Sequence, residues 1–208
     1  MKEDIKGKSR NKEHSKQLLL DAVGEILRTK GYSELKVNQI AATAGLDKKL
    51  IYNYFGSKDN LVGTYIHSKD FWSNVKEDNI PVEITDGGHA FSKIMLQQQF
   101  DFLHQNEELQ KVLLWRLSEA QPFLQELTEN QEKVGEILLQ AITDPHFKEK
   151  AQDYRAIMAI LISGIYYLNL YGSVNGSIFC GIDMNSEYGR NKVQDALSFL
   201  IDKTYESL

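Results

Sequence analysis

The apolar residues of this chain recur at spacings of three and four, and that pattern constrains the fold more than any other feature. Leu18, Leu19, Ala22, Val23, Ile26 and Leu27 set it near the start, and Val193, Ala196, Leu197, Leu200 and Ile201 repeat it near the end. A helix turns 100° per residue, so such spacing gathers these side chains on one face; a half-buried strand would alternate every second residue. No segment shows that alternation, and no repeat of 20–50 residues is visible. An all-α fold is expected.

Glycine and proline divide the pattern into helices. The helix that begins at Ser15 is expected to stop at Lys30, because Gly31 occupies the position where a left-handed residue ends a helix cheaply. A short helix over Val37–Ala44 follows, then the turn Gly45-Leu46-Asp47, then a helix of barely two turns over Lys48–Tyr54. Phe55-Gly56 ends that helix. Ser57 is placed to cap a fourth, with Asp59 in its first turn where the helix dipole favours an acid. This helix is expected to run from Lys58 into the Ser73–Glu77 region with Leu61, Tyr65 and Trp72 on one side. Pro81 to Gly88 reads as a loop. Further helices are expected over His89–Gln105, Glu107–Ala120, Phe123–Thr143, Lys148–Tyr171 and Glu187–Tyr205, with Pro122 and Asp144-Pro145 marking two of the breaks. Residues 1–14 lack apolar periodicity and read as a flexible basic arm. The expected domains are 15–62 and 63–208.

Charge is unevenly spread along the chain. Its net value is −5, yet residues 1–60 hold 12 Lys and Arg against 8 Asp and Glu, and the remainder 12 against 21. A basic head on an acidic body suits a partner such as nucleic acid at one end, although charge runs are usually solvated faces. The single cysteine, Cys180, excludes an internal disulfide framework and favours a cytoplasmic location. The first residues are polar, unlike a secretory signal. The apolar stretch Ala156–Leu170 is short for a bilayer and contains Ser163 and Asn169, so no membrane partner is expected. His14, His67, His89, His104 and His146 lie in different segments without metal-ligand spacing. Gly172, Gly176 and Gly181 lack the setting of a phosphate-binding loop. No enzyme activity and no cofactor are expected.

The helices over 37–44 and 48–54, joined by Ala44-Gly45-Leu46-Asp47, have the lengths and turn chemistry of a helix-turn-helix. Ala41 and Ala44 are small enough for a close crossing, and Gly45 permits the turn. Alone, the segment also fits an ordinary helical hairpin. Its surroundings decide the matter: Lys30-Gly31-Tyr32, Ile40-Ala41, Ala44-Gly45, Ile51-Tyr52, Tyr54-Phe55 and Ser57-Lys58 before Leu61 closely resemble the N-terminal domain of the tetracycline-repressor (TetR) family. The resemblance covers about residues 15–66. It implies a nine-helix architecture, with a three-helix DNA-binding head and a helical body for ligand binding and dimerisation.

Carried over by position, the resemblance assigns phosphate contacts to Tyr52 and Lys58. Lys48, Lys49 and Asn53 are then the groups available to base edges, because Lys donates to guanine and Asn bonds adenine bidentately. Tyr54 is expected nearer the DNA, whereas Phe55, Ile51 and Leu46 are expected to pack. Three positions depart from the family. Lys36 stands where many relatives cap the second helix with Ser or Thr, although it can still reach phosphate. Lys49 and Leu50 stand where small residues are usual. The partners so implied are operator DNA, a small-molecule effector and a second copy of the chain.

For the body, the resemblance implies a cavity among the middle helices and a four-helix bundle from the last two helices of each subunit. Polar residues on apolar faces are the clues to the cavity. Gln98 shares a face with Phe91, Ile94, Met95 and Phe102, and Arg116 shares one with Leu109, Val112, Leu113 and Leu117. Two readings stay open. Arg116 pairs with an acid such as Glu119 while Gln98 bonds backbone, or both line a ligand pocket with Phe100, Trp115, Tyr166 and Asn169. The helix over 148–171 is apolar nearly all round, which fits a dimer seam or a deep core. Ile165, Val193, Leu197 and Leu200 are the candidates for that seam.

Overall fold

The computed structural model describes residues 2–69 and 84–208, with side chains from Asn11 onward. The described residues are almost wholly helical. Helix α1 spans Lys2–Lys30, α2 Val37–Ala44, α3 Lys49–Phe55, α4 Lys58–Lys69, α5 His89–Gln105, α6 Glu107–Ser118, α7 Pro122–Leu138, α8 Asp144–Phe147, α9 Ala151–Val174 and α10 Glu187–Ser207. The expected extension of α4 through Trp72 to Glu77 and the loop residues 81–83 lie outside the described residues. The arm expected over residues 1–14 gives way to helix from Lys2. The segment lacks an apolar stripe to be packed, but it is rich in good helix formers and contains no proline, so helix continues through it.

The chain divides into two compact units, and the division does not follow the sequence order. The first unit holds the helices up to α4 together with Glu107–Thr128, which is α6 and the start of α7. Its core is continuous from Leu19, Ile26 and Leu27 of α1 through Ile40, Ile51 and Leu61 to Val112, Trp115 and Leu124. Polar and aromatic links fasten α6 to this unit. The Tyr65 hydroxyl on α4 donates to Glu108, and the Lys111 ammonium donates to the Arg28 carbonyl. Tyr32 stacks on Trp115 with ring centroids 5.0 Å apart, and its hydroxyl lies 3.2 Å from Ser118 Oγ. Burial, reinforced by the Glu108 carboxylate, raises the Tyr65 pKa well above the phenol range.

The second unit is built on α5, which packs against both α9 and α10. Polar links brace these contacts. Ser92 Oγ lies 2.7 Å from the Tyr154 hydroxyl, Gln99 donates to the Tyr166 hydroxyl at 2.8 Å, and Lys93 donates to Asp202 at 2.8 Å. Asp86 caps α5 by accepting from the backbone of Ala90 and Gly88, and the Ala90 bond is the main reason its pKa is lowered. The break expected at Asp144-Pro145 falls later. A π-helical turn, Leu139–Thr143, carries α7 directly into α8, and Arg155 on α9 holds this run through Glu136 and Asp144. Pro145 sits in the first turn of α8 without breaking this run.

The connection between α9 and α10 contains a feature the helical pattern concealed. Ile178–Phe179 and Ile182–Asp183 pair as a two-stranded antiparallel hairpin, with Cys180 and Gly181 both at positive φ in its turn. Gly189, in the first turn of α10, lies against this hairpin. A Cβ there would stand 2.0 Å from the Asp183 carbonyl oxygen and 3.0 Å from Ile182 Cγ2. Helix propensity alone favours alanine by about 1 kcal/mol. A backbone clash outweighs that, so Gly189→Ala is expected to destabilise the protein by about 1–3 kcal/mol. Denaturant unfolding checks this, and an unchanged or raised midpoint would contradict it.

By length and composition, the helical run that ends in α9 contains one window apolar enough to cross a membrane. At 24 residues, α9 is about 36 Å long, more than the apolar stretch suggested. It packs against α5 and α8, and Leu161 and Ile165 are among its buried residues.

Candidate nucleic-acid interface

Three helices form the head of the first unit, and their ends are fixed by local bonds. Gly45 adopts the left-handed conformation (φ 65°) after α2, and the Leu46 N–H donates to the Ala41 carbonyl at 3.0 Å. Asp47 Oδ1 then accepts from the Lys49 N–H at 2.8 Å and starts α3. Ser57 Oγ accepts from the Asn60 N–H at 3.0 Å, capping α4 as the sequence suggested. The Asn60 side chain also donates to the Phe55 carbonyl at 2.9 Å, which ties the first turn of α4 to the end of α3.

Helix α3 has two distinct sides. Ile51 is fully buried, with Leu50, Tyr54 and Phe55 packed partly against the same core. Lys48 (the residue before the helix), Lys49, Tyr52 and Asn53 are exposed, Tyr52 to 52 %. The exposed side therefore carries two ammonium groups, a phenol and an amide and no buried charge. Lys58 opens α4 with its side chain 35 % exposed and 3.0 Å from Asp59. Backbone N–H groups at the start of a helix and a nearby ammonium both favour an anion. Lys36 precedes α2 without capping it and pairs with Glu34 at 3.0 Å. All seven residues singled out for DNA contact thus lie on the first unit, six exposed or at a helix start and Tyr54 half-buried.

The residues singled out for a ligand pocket fall in both units. Trp115 and Arg116 lie on α6 in the first unit; Gln98, Phe100, Tyr166 and Asn169 lie in the second. Trp115 packs in the core of the head, with Phe123 edge-on at 5.3 Å and its indole N–H bonded to Glu119. Arg116 is half-buried. Gln98 is exposed, and its neighbour Gln99 is the buried glutamine, 2 % exposed. Helix α5 carries apolar residues on nearly every side, so their pattern does not fix which side turns inward; the buried set is Ser92, Met95, Leu96, Gln99, Phe100 and Leu103. Phe100 is buried beneath the Arg190 guanidinium, 4.3 Å from its ring centroid. Asn169 is buried, donates to the Ile165 carbonyl at 2.9 Å, and its Oδ1 has no hydrogen-bond partner among the described residues.

The candidates for a dimer seam also divide. Ile165 and Leu197 are buried within the single chain, 1 % and 7 % exposed, so they have no area left for a partner. Val193 is half-buried. Leu200 is 43 % exposed, and Ile160, Tyr167 and Phe199 are exposed further. Leu200 borders an open apolar groove of about 360 Å³, lined by Ile157, Ile160 and Leu161 of α9 and Lys203 and Thr204 of α10. Among the described residues, no three His, Cys, Asp or Glu side chains are gathered to hold a metal.

The sequence profile of the family described as bacterial regulatory proteins, tetR family, matches residues 19–64. No curated protein sequence matches the chain significantly. Several solved structures share its fold over nearly its whole length. A TetR-like transcriptional regulator from Rhodococcus sp. RHA1 is 19 % identical over 93 % of this chain and 97 % of its own, with a TM-score of 0.64. The fatty acid degradation regulator FadR from Bacillus halodurans is 21 % identical over 88 % of this chain and 97 % of its own, with a TM-score of 0.61. The transcriptional regulator FadR from Bacillus subtilis, solved in complex with stearoyl-CoA, is 18 % identical over 89 % of this chain and 96 % of its own, with a TM-score of 0.62.

Proposed function

We propose that this chain, which belongs to the tetR family of bacterial regulatory proteins through residues 19–64, is a cytoplasmic homodimeric repressor that releases its operator when a small molecule binds the helical body. The observation that carries the DNA-binding half is the two-sided α3, with Ile51 in the core and Lys48, Lys49, Tyr52 and Asn53 facing solvent. In this reading Tyr52 and Lys58 hold phosphates and fix the register, while Lys48, Lys49 and Asn53 read base edges. Lys36 and Tyr54 flank them. Two copies seated through the α9–α10 groove present two recognition helices to one operator.

The ligand half rests on Phe100, Tyr166 and Asn169 of the body, where the buried amide oxygen of Asn169 finds no hydrogen-bond partner among the described residues. Gln98 is exposed and Trp115 is committed to the head, so they carry less of this reading. The competing reading, a helical binding protein of the same fold without regulated operator binding, leaves the exposed polar face of α3 without a purpose.

Stearoyl-CoA is a natural first probe, because a FadR of the same fold was solved with it. An inducer must bind the DNA-free state more tightly, and couplings of about 1–3 kcal/mol correspond to 5–150-fold. By reciprocity, duplex DNA selected by the protein is expected to weaken stearoyl-CoA binding by the same factor. Calorimetry with and without that duplex measures it. Equal affinities would refute induction by this ligand, and tighter binding on DNA would make it a co-repressor.

A further inference from the structure

The second unit holds a polar cavity of about 320 Å³ between the end of α5 and the start of α10. Every residue lining it is polar, among them Asp101, His104, Glu187, Arg190 and Gln194. Helices that pack only to form a core meet through apolar side chains, so a recess walled in this way needs another explanation. Its lining also differs from that of the α9–α10 groove, which is mostly apolar.

Arg190 is the central residue of this wall. Its side chain is only 11 % exposed, and its guanidinium lies on the buried ring of Phe100, 4.3 Å from the centroid. Stacking of this kind fixes the plane of the donor fork. Nη2 donates to Asp101 Oδ1 at 2.6 Å, and the Gln194 amide donates to the other carboxylate oxygen at 2.8 Å. Both oxygens of Asp101 are thereby met within the protein. Those of the fork are not: a guanidinium carries several N–H donors, and among the described residues the side chain makes this one hydrogen bond. The unused donors are not sealed in the interior, because among the described residues Asn169 Oδ1 is the buried side-chain atom left without a partner. They open on the cavity that Arg190 lines. A staple between α5 and α10 accounts for the Asp101 pair but not for the open donors beside it.

Glu187 and His104 complete the chemistry. Glu187 lies in the first turn of α10, is exposed, and has no ion-pair partner among the described residues. Burial, assisted by the Arg190 charge, lowers the His104 pKa, so Arg190 is the cation of the wall at neutral pH. We propose that this cavity is a binding site for a free amino acid with a polar side chain. Arg190 receives its carboxylate and Glu187 its ammonium, while the amides of Asn191 and Gln194 are available to its side chain. Charge decides the class: a simple carboxylate leaves Glu187 without a counter-ion, and a simple amine leaves the Arg190 fork unused. The site is distinct from the region of Tyr166 and Asn169, and its occupation does not depend on DNA binding by the head.

The test is calorimetric titration of the full chain, without DNA, with each of the common L-amino acids at neutral pH and millimolar concentration. Binding is expected for amino acids with polar side chains. For one that binds, the matching amine without the carboxylate and the matching acid without the amino group are each expected to bind about 10-fold or more weakly, because a hydrogen bond to a charged group is lost. Glu187→Gln is expected to weaken the amino acid by about the same factor, at a nearly unchanged thermal midpoint because Glu187 is exposed. Arg190→Lys keeps the charge but removes the fork, and is expected to weaken binding likewise. Where Arg190→Lys lowers the thermal midpoint, Glu187→Gln decides. Absence of binding by every amino acid would overturn the site, and so would binding that survives both substitutions or is matched by the amine and the acid. A response confined to apolar amino acids would contradict the polar lining.

Discussion

Leu200→Glu is expected to leave a folded monomer that binds operator DNA at least about 100-fold more weakly than the unsubstituted protein. Leu200 is 43 % exposed in the single chain, so the subunit's own core does not depend on it. It borders the apolar groove between α9 and α10, and a carboxylate there would have to be desolvated when a partner docks. Separation of the subunits uncouples the two half-sites, and the avidity lost in that way is about 10²–10⁴-fold. Ile165→Glu is the informative comparison. Ile165 is 1 % exposed, so a charge there is expected to unfold the body rather than separate two folded subunits. Sedimentation with thermal melts distinguishes these outcomes. A stable Leu200→Glu dimer would remove the α9–α10 groove from the assembly.

The second large effect is expected from Tyr52→Phe combined with Lys58→Ala. A hydrogen bond to a charged group contributes about 1.5–3 kcal/mol, and each subunit of a dimer loses two such contacts. Binding is therefore expected to fall by several orders of magnitude, and by similar factors for all DNA sequences, because both groups meet phosphate. The Lys58 change alone is expected to lower the salt slope by about 0.9 for each subunit engaged. In the free chain Lys58 pairs with Asp59 at 3.0 Å, a partner it exchanges for phosphate on binding. Changes at Asn53 or Lys49 are expected to behave differently, altering which bases are preferred. A shifted base preference in the Tyr52→Phe/Lys58→Ala protein, at an unchanged salt slope, would contradict the division of roles.

What the sequence made legible is what short-range physics determines. The turn at Gly45, the cap at Ser57 and the inward Ile51 each follow from one residue and its immediate neighbours, and each stands where expected. The interior of the body was less legible. In α5, apolar residues on nearly all sides conceal which face is buried, and Gln99 takes the inward place expected of Gln98. Ile165 and Leu197 sit on proper stripes, yet a stripe records burial without saying whether the cover is the chain itself or a second copy. The attachment of α6 to the head depends on Trp115 meeting Tyr32 across 83 residues of sequence, which no local pattern encodes. The helix from Lys2 was not legible because residues 1–14 carry no apolar periodicity to announce it.

The proposed head reads DNA sequence as a two-fold dimer. Selection of bound duplexes from a random pool, followed by sequencing, tests it most directly. A two-fold dimer is expected to enrich one approximately palindromic site whose half-sites are centred about 34 Å apart, one turn of DNA, or a multiple of that spacing. Recovery of bound DNA without any enriched sequence would contradict it.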